Sequence, residues 1–468
     1  MLASTVDALR ECLGVDKVHT AGDVLDERRF DYWVLSHLRD WRGEAIERPG
    51  VVVRPESTAE VQAIVRLAGE TRTPLVPFGL GSGVCGGIQP DPSMILVDLS
   101  AMNRVREIDE TNLLASFDAG LNGLEAEEAV AARGLTIGHW PQSIGISTVG
   151  GWISTRAAGQ FSTAYGNIED IVYSIEAVMP NGDLVELGKA PRAAAGPDLR
   201  HVLLGAEGTM GIVTGVTLAL RRQPEERAFS AYYTPSMTAG FEAQRTIVQA
   251  DWLPPVMRQY DAAEVGRNFR DHTSGDLGLL MMVHEGPSAR VAAEIEATDA
   301  IALQAGLKVA PAAIGPHWMD RRNHVPSWRQ LFEGNLVADT IEISAPWTRI
   351  EAIYDQATAS LRELDAVVVA SAHSSHVYRT GLNLYFTFVA RQEDSADMEG
   401  TYLDCWRRVI EATVRHGGGV AHHHGAGRLR KSYLVHDLGE NGLTLLRQLK
   451  GAVDPHGLMN PGNLIPDA

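Results

Sequence analysis

Cysteine is scarce. The 468 residues contain three, Cys12, Cys85 and Cys405, far apart and without the spacing of a metal-ligand set. So sparse and odd a count excludes a disulfide-built scaffold and fits a reducing compartment. Positive charge is also short: 41 Lys and Arg stand against 59 Asp and Glu, a net charge of −18 at pH 7. Nucleic acid and anionic membrane both need a basic face, so both are excluded as main partners; a local basic pocket for an anionic substrate is not. No window approaches the roughly 18 apolar residues of a membrane span, and no stable membrane insertion is expected. The opening Met1 to Val15 shows no basic region followed by an apolar run, so a cytoplasmic protein is expected. Internal repeats and low-complexity tracts are missing too. What remains is ordinary globular composition, 45% hydrophobic and 21% charged, in a chain too long for one core.

The order of elements predicts an α+β protein in four stretches. An N-terminal segment, 1–48, precedes a unit at 49–222. There Val51 to Val53 reads as a buried strand, and Ser57 and Glu60 as a capping box. Val61, Ile64, Val65 and Ala68 recur at helical spacing, and Leu75 to Pro77 reads as the next strand. Short strands are expected at 95–99, 105–108, 113–117 and 171–179, with a helix at 124–133 stopped by Gly134 and a turn at Asn181-Gly182. From 223 to 415 helices at 241–250, 289–305, 350–364 and 398–415 mix with strands at 256–259, 277–284 and 382–388. This second unit reads as an α+β cap on an antiparallel sheet. A C-terminal segment, 416–468, carries a histidine- and glycine-rich loop and tight turns.

Three glycine-rich stretches carry the first functional signal. Pro77-Phe78-Gly79-Leu80-Gly81-Ser82-Gly83 runs on to Gly86-Gly87. A Rossmann fingerprint must open a helix, but Pro90 and Pro92 follow here, so this loop is a nest of backbone N–H groups suited to a pyrophosphate. The second stretch, Ser143 to Gly159, interleaves Gly145, Gly150 and Gly151 with hydroxyls, and the third runs from Gly205 to Ile212. Two or three such loops among strands suit a dinucleotide.

Taken with Tyr165-Gly166-Asn167-Ile168-Glu169-Asp170 and Asn460-Pro461-Gly462-Asn463-Leu464, these motifs make the chain resemble the FAD-binding family of vanillyl-alcohol oxidase and p-cresol methylhydroxylase. The order and spacing match from Pro49 to Leu464. Ser147 to Asp170, Gly196-Pro197-Asp198, Ile343 to Trp347 and His422-His423-His424 look most like the alkylglycerone-phosphate synthase branch. D-lactate and glycolate dehydrogenases are similar mainly in the FAD unit. The resemblance implies a two-part FAD-binding domain of the p-cresol methylhydroxylase type with a cap. It implies FAD held by Pro77, Phe78, Gly79, Leu80, Gly81, Ser82 and Gly83 in the first loop. Pro141, Ser147, Thr148, Gly150, Gly151, Ala157 and Gly159 follow in the second, then Glu207, Gly208 and Ile212, and finally Asn463. Relatives that tether the flavin do so through a histidine or cysteine in the first two loops; Ser82 and Ser143 to Ser147 stand there instead, so non-covalent FAD is expected.

For chemistry, three adjacent histidines cannot all point one way, which suits acid–base groups better than a metal cage. The resemblance places His422, His423 and His424 in the active site and makes Tyr385 catalytic. It also puts substrate arginines at Arg258 and at Arg329, with Arg322 as the alternative to Arg329; an arginine is the natural clamp for carboxylate or phosphate. His373 and His376 lie where the dehydrogenase branch holds a divalent metal. The Gly-Asp-Gly-Asn core of that motif is missing and His423 replaces its later glutamate, so no metal is expected. The function expected first is oxidation of a small hydroxylated, anionic substrate, hydride passing to flavin N5 while Tyr385 or a triplet histidine takes the proton. The alternative is a synthase-like exchange of an acyl for an alkyl chain through a flavin adduct. A non-catalytic flavin sensor would not need the tyrosine and histidines. A homodimer is left open.

Overall fold

The computed structural model describes residues 2–466 apart from 273, 274 and 326. Two small sheets and a two-stranded antiparallel pair, Leu135–Thr136 with Arg221–Arg222, build the first unit. Val51–Val53, Ile95–Asp98 and Leu75–Phe78 pair in parallel, in that order, with Val18–His19 antiparallel on the outer edge. The crossover helix Thr58–Thr71 buries Val61, Ile64, Val65 and Ala68, the four positions spaced for it. Ser57 caps this helix by accepting from the Glu60 N–H at 3.3 Å. The Glu60 carboxylate reaches past Ser57 to the Glu56 N–H and to Lys17, each at 2.6 Å, so the box is not reciprocal. The second sheet is antiparallel, in the order Val105–Asp109, Leu114–Asp118, Ile212–Ala219, Val172–Val178, Leu184–Leu187. Its last two strands are joined through the Asn181-Gly182 turn, where Gly182 takes φ +83°.

The 143–159 stretch is not loop throughout. Val149–Thr155 is a helix whose N-cap, Thr148, accepts from the Gly151 N–H at 3.1 Å. A Cβ on Gly150 would stand 2.7 Å from the Ala119 Cβ and 2.8 Å from its carbonyl oxygen. That glycine therefore serves close packing of the helix on the second sheet. After Phe78, residues 79–94 contain no helix, as the two prolines require.

The cap is built on one large antiparallel sheet running Lys308–Val309, Glu226–Thr234, Gly278–Gly286, Val256–Tyr260, Val367–Ser374, Gly381–Arg391, Leu336–Pro346, with Val377–Tyr378 paired to Gly381–Arg391. The helices Met237–Gln249, Trp347–Arg362 and Ala396–Arg415 share its largest hydrophobic core. Hydrophobic pattern alone does not reveal Leu336–Pro346, because Asp339 and Glu342 interrupt it. Both are buried. Asp339 accepts from the Tyr402 hydroxyl at 2.6 Å and the Trp406 indole at 3.1 Å, and Glu342 pairs with buried Arg430. Finally the tail returns to the first sheet: Leu75 donates to the Leu458 carbonyl at 2.8 Å and accepts from the Asn460 N–H at 2.7 Å.

Candidate active site

The three glycine stretches converge. A Cβ on Gly79 would lie 2.6 Å from Thr148 Oγ1, one on Gly208 2.9 Å from the Pro77 ring, and one on Gly87 3.5 Å from Glu207 and 3.8 Å from Asn463. The loop, the N-cap of the Val149–Thr155 helix, the third motif and the tail thus surround one space. Among the described residues, no N–H from Gly79 to Gly83 has a hydrogen-bond acceptor within the chain. The side-chain oxygens of Asn460 and Asn463 are buried without a partner, as are both ring nitrogens of His139. Buried polar groups left unmatched in this way are what a bound polar cofactor would satisfy. Glu207 closes the floor, accepting from the Ala426 N–H at 2.7 Å and the Gly427 N–H at 3.0 Å. Asp31 of the N-terminal segment accepts from the Gly87 N–H at 2.7 Å. Burial raises the Asp31 carboxyl to about 7. The remaining predicted residues sit around this space unequally. Phe78, Ser147 and Ala157 are buried, while Leu80 is 41% exposed.

The catalytic candidates come from the cap sheet and from the C-terminal segment that folds onto it. Directly opposed strand positions place Tyr260, His373, Tyr385 and Glu342 in one row across four strands, so their side chains share a face. Arg258, two residues before Tyr260, is on the same face. The histidine triplet folds onto this row because its three successive N–H groups all donate to Glu342 Oε1, at 3.3, 3.3 and 3.0 Å. Glu342 also receives Arg430 Nη1 at 2.6 Å and lies 3.2 Å from His424 Nδ1. Burial opposes its ionisation, yet Arg430 and His424 hold it well below the usual carboxylate range.

The triplet then spreads as stereochemistry requires. Tyr385 is hydrogen-bonded to His423 Nε2, His423 Nδ1 to His422 Nδ1 at 2.7 Å, and His422 Nε2 to the Tyr378 hydroxyl at 2.6 Å. Those contacts form a continuous hydrogen-bond chain whose protons can all run in either direction. Burial raises both tyrosine hydroxyls and lowers His422 to about 4 and His423 further, so all four groups rest neutral. The His376 ring centroid lies 4.9 Å from those of His422 and His423, and its Nδ1 is hydrogen-bonded to Ser162 Oγ at 2.6 Å. Nitrogens of His376, His422 and His423 lie within 4.8 Å of one another, close enough to gather on a cation.

Of the arginines, Arg258 reaches this row. Its Nε donates to the Tyr260 hydroxyl at 2.8 Å and its guanidinium lies 5.5 Å and 5.6 Å from the Tyr260 and Trp318 rings. Among the described residues no carboxylate pairs with it. Arg322 instead stacks 5.1 Å from Trp140, and its charged neighbours are Arg227, Glu285 and Asp320. Arg329 is not brought to the site: its side chain is 78% exposed and pairs with Glu333 at 3.0 Å. Sequence reasoning missed Glu342, Arg430, Asp31 and His139. None has a local signature, and an acidic residue in an apolar strand was the one available hint.

The match to known families identifies the cofactor. Residues 49–188 fit the FAD binding domain model, and residues 223–464 fit that of the FAD linked oxidases, C-terminal domain. The chain belongs to the FAD-linked oxidase family. It is a flavoenzyme with FAD as its cofactor. Among curated relatives it is 32% identical to the uncharacterised FAD-linked oxidoreductase YgcU of Escherichia coli, over 99% of this chain and 98% of that one. It is 28% identical to alkyldihydroxyacetonephosphate synthase of Dictyostelium discoideum, over 91% of this chain and 74% of the relative. A solved alkyldihydroxyacetonephosphate synthase superposes with TM-score 0.82 at 24% identity, covering 98% of this chain and 84% of its own. The p-cresol methylhydroxylase structure gives 0.78 at 15% identity over 100% and 97%, which fixes the fold as that type. No helix among the described residues is long and apolar enough to cross a membrane.

Proposed function

We propose that this flavoenzyme oxidises a small hydroxylated substrate that carries a negative charge. The observation that carries the reading is Arg258: a cation with no carboxylate partner among the described residues, on the same sheet face as Tyr385 and the histidine chain. An anionic group on Arg258 would set the substrate's carbinol against Tyr385 and the imidazoles, which supply the acid–base step. FAD, when bound, accepts the hydride. It would be held non-covalently by the N–H groups of Gly79 to Gly83 and by the segments around Thr148, Glu207 and Asn463. Burial pushes the Cys85 thiol well up, which makes it a poor tether. We assign the FAD unit to 49–222, the cap to 223–415, and the protein to the cytoplasm.

A second reading, synthase-like exchange of an acyl for an alkyl chain, is favoured by the likeness to the synthase over nearly the whole chain. Anaerobic mixing with 2-hydroxy acids, phenolic alcohols and acyl-dihydroxyacetone phosphate separates the two. Flavin bleaching by a hydroxylated anion supports oxidation. Formation of the alkyl product from acyl-dihydroxyacetone phosphate and a fatty alcohol, with no net bleaching, would replace it with the synthase reading.

A further inference from the structure

One titratable pair at the site lies outside the Tyr385–His423–His422–Tyr378 chain. His373 stands beside Tyr385 on the neighbouring strand, its ring stacked on the phenol at 4.7 Å and 10°. Its Nδ1 is 2.8 Å from Glu264 Oε2, and Glu264 is 1% exposed. That carboxylate comes from the short helix Ala262–Asn268 and is itself fixed. Its Oε1 accepts from the Thr387 hydroxyl at 2.7 Å and from Arg267 at 2.8 Å. His373 keeps some accessible surface, 13%, and its Nε2 has no hydrogen-bond partner among the described residues. The outer edge of the ring is therefore open on the face that carries Tyr385 and Arg258, while the inner edge is backed by a buried carboxylate.

We propose that His373 is the proton acceptor of this site and that Glu264 is its positioning residue. The inference rests on the oxidation reading above and names the base within it. The substrate's O–H proton would pass to His373 Nε2 as the carbinol becomes a carbonyl, with FAD, when bound, supplying the hydride acceptor. The imidazolium that forms faces Glu264 and gives up its proton to solvent through the open edge, which returns the ring to neutral.

The alternatives are weaker on charge grounds. Neither His422 nor His423 has a side-chain carboxylate partner. Glu342, whose charge acts on both, is already matched by buried Arg430, so a proton on either would be a poorly compensated buried cation. His424 has Glu342, but that carboxylate is already matched by buried Arg430. Glu264 shares its charge with Arg267, whose side chain is 34% exposed and hence partly screened by water. Tyr385, kept neutral by burial, is left to donate a hydrogen bond to the substrate oxygen.

The test is chemical labelling of the FAD-loaded protein with diethyl pyrocarbonate at neutral pH, each histidine followed by peptide mass spectrometry. This reagent attacks an unprotonated, accessible imidazole nitrogen and needs no substrate. His373 should label readily, and Glu264→Gln should slow that labelling several-fold while exposed His436 and His456 label as before. Thr387→Val, which loosens Glu264 without removing it, should slow it less. A His373 that does not label in the wild-type protein overturns the proposal. So does one whose labelling is the same in every variant that retains FAD. Labelling that depends on Glu264, with no bleaching by any hydroxylated anion, upholds the dyad and sinks the substrate reading. Bleaching without His373 labelling does the reverse.

Discussion

A phenol enclosed by protein and bonded to a neutral imidazole is a poor phenolate and a good donor, and Tyr385 is placed as such. Tyr385→Phe removes one hydroxyl and almost no volume. If that hydroxyl serves the transition state, turnover should fall roughly 10²–10⁴-fold with FAD content unchanged. Near-normal turnover on the true substrate would reduce Tyr385 to a packing residue. Glu342 matters for a different reason. Glu342→Gln would leave Arg430 buried without its counter-charge and the triplet N–H groups with a weaker acceptor, a loss of about 3–5 kcal/mol. Denaturant unfolding measures it; a loss below about 1 kcal/mol would contradict the pairing. His139 offers a pH test. Burial lowers it from 6.5 to about 3, so the native state keeps it neutral while the unfolded chain binds a proton. Its contribution to stability is present above pH 6.5 and is lost as pH falls toward 3. His139→Asn should therefore gain in melting temperature relative to the wild type on going from pH 7 to pH 4. A difference that stays constant across this range would show that His139 titrates normally.

At the level of elements, the glycine loops make the sharpest claim. Gly81 has φ +70°, and a Cβ there would stand 2.9 Å from the Phe78 ring; a bulky residue is both strained and in collision. On Gly151 a Cβ would lie 3.1 Å from Thr148 Oγ1, disturbing the cap that starts the Val149–Thr155 helix. Gly81→Val and Gly151→Val should give folded protein with little flavin, read as the ratio of flavin to protein absorbance. Full occupancy in both would mean that these segments do not hold FAD. Gly150 is a different case, because its Cβ would collide with Ala119; substitution there should lower stability itself.

Over the whole molecule, the proposed cofactor space lies between segments distant in sequence, and burial pushes the Cys85 thiol of its first loop well up. The purified protein should be yellow, and acid precipitation should leave the flavin in the supernatant. Flavin that stays with the pellet would refute non-covalent binding. The sequence by itself determined the FAD unit and the cap on an antiparallel sheet. Those features are local: a glycine loop records a backbone requirement at its own position, and helical or strand periodicity records one buried face. The partners of the site were decided only by tertiary structure. Glu342 meets Arg430 across 88 residues, Asp339 meets Tyr402 across 63, and Glu264 meets Thr387 across 123. A buried charge is stable only beside its counter-group, and when that group is supplied by a remote segment no window of sequence contains the pair. The same holds for Arg258 and Arg329, two arginines alike in sequence: packing left one without a carboxylate among the described residues, on the face that carries the histidines, and put the other on the surface.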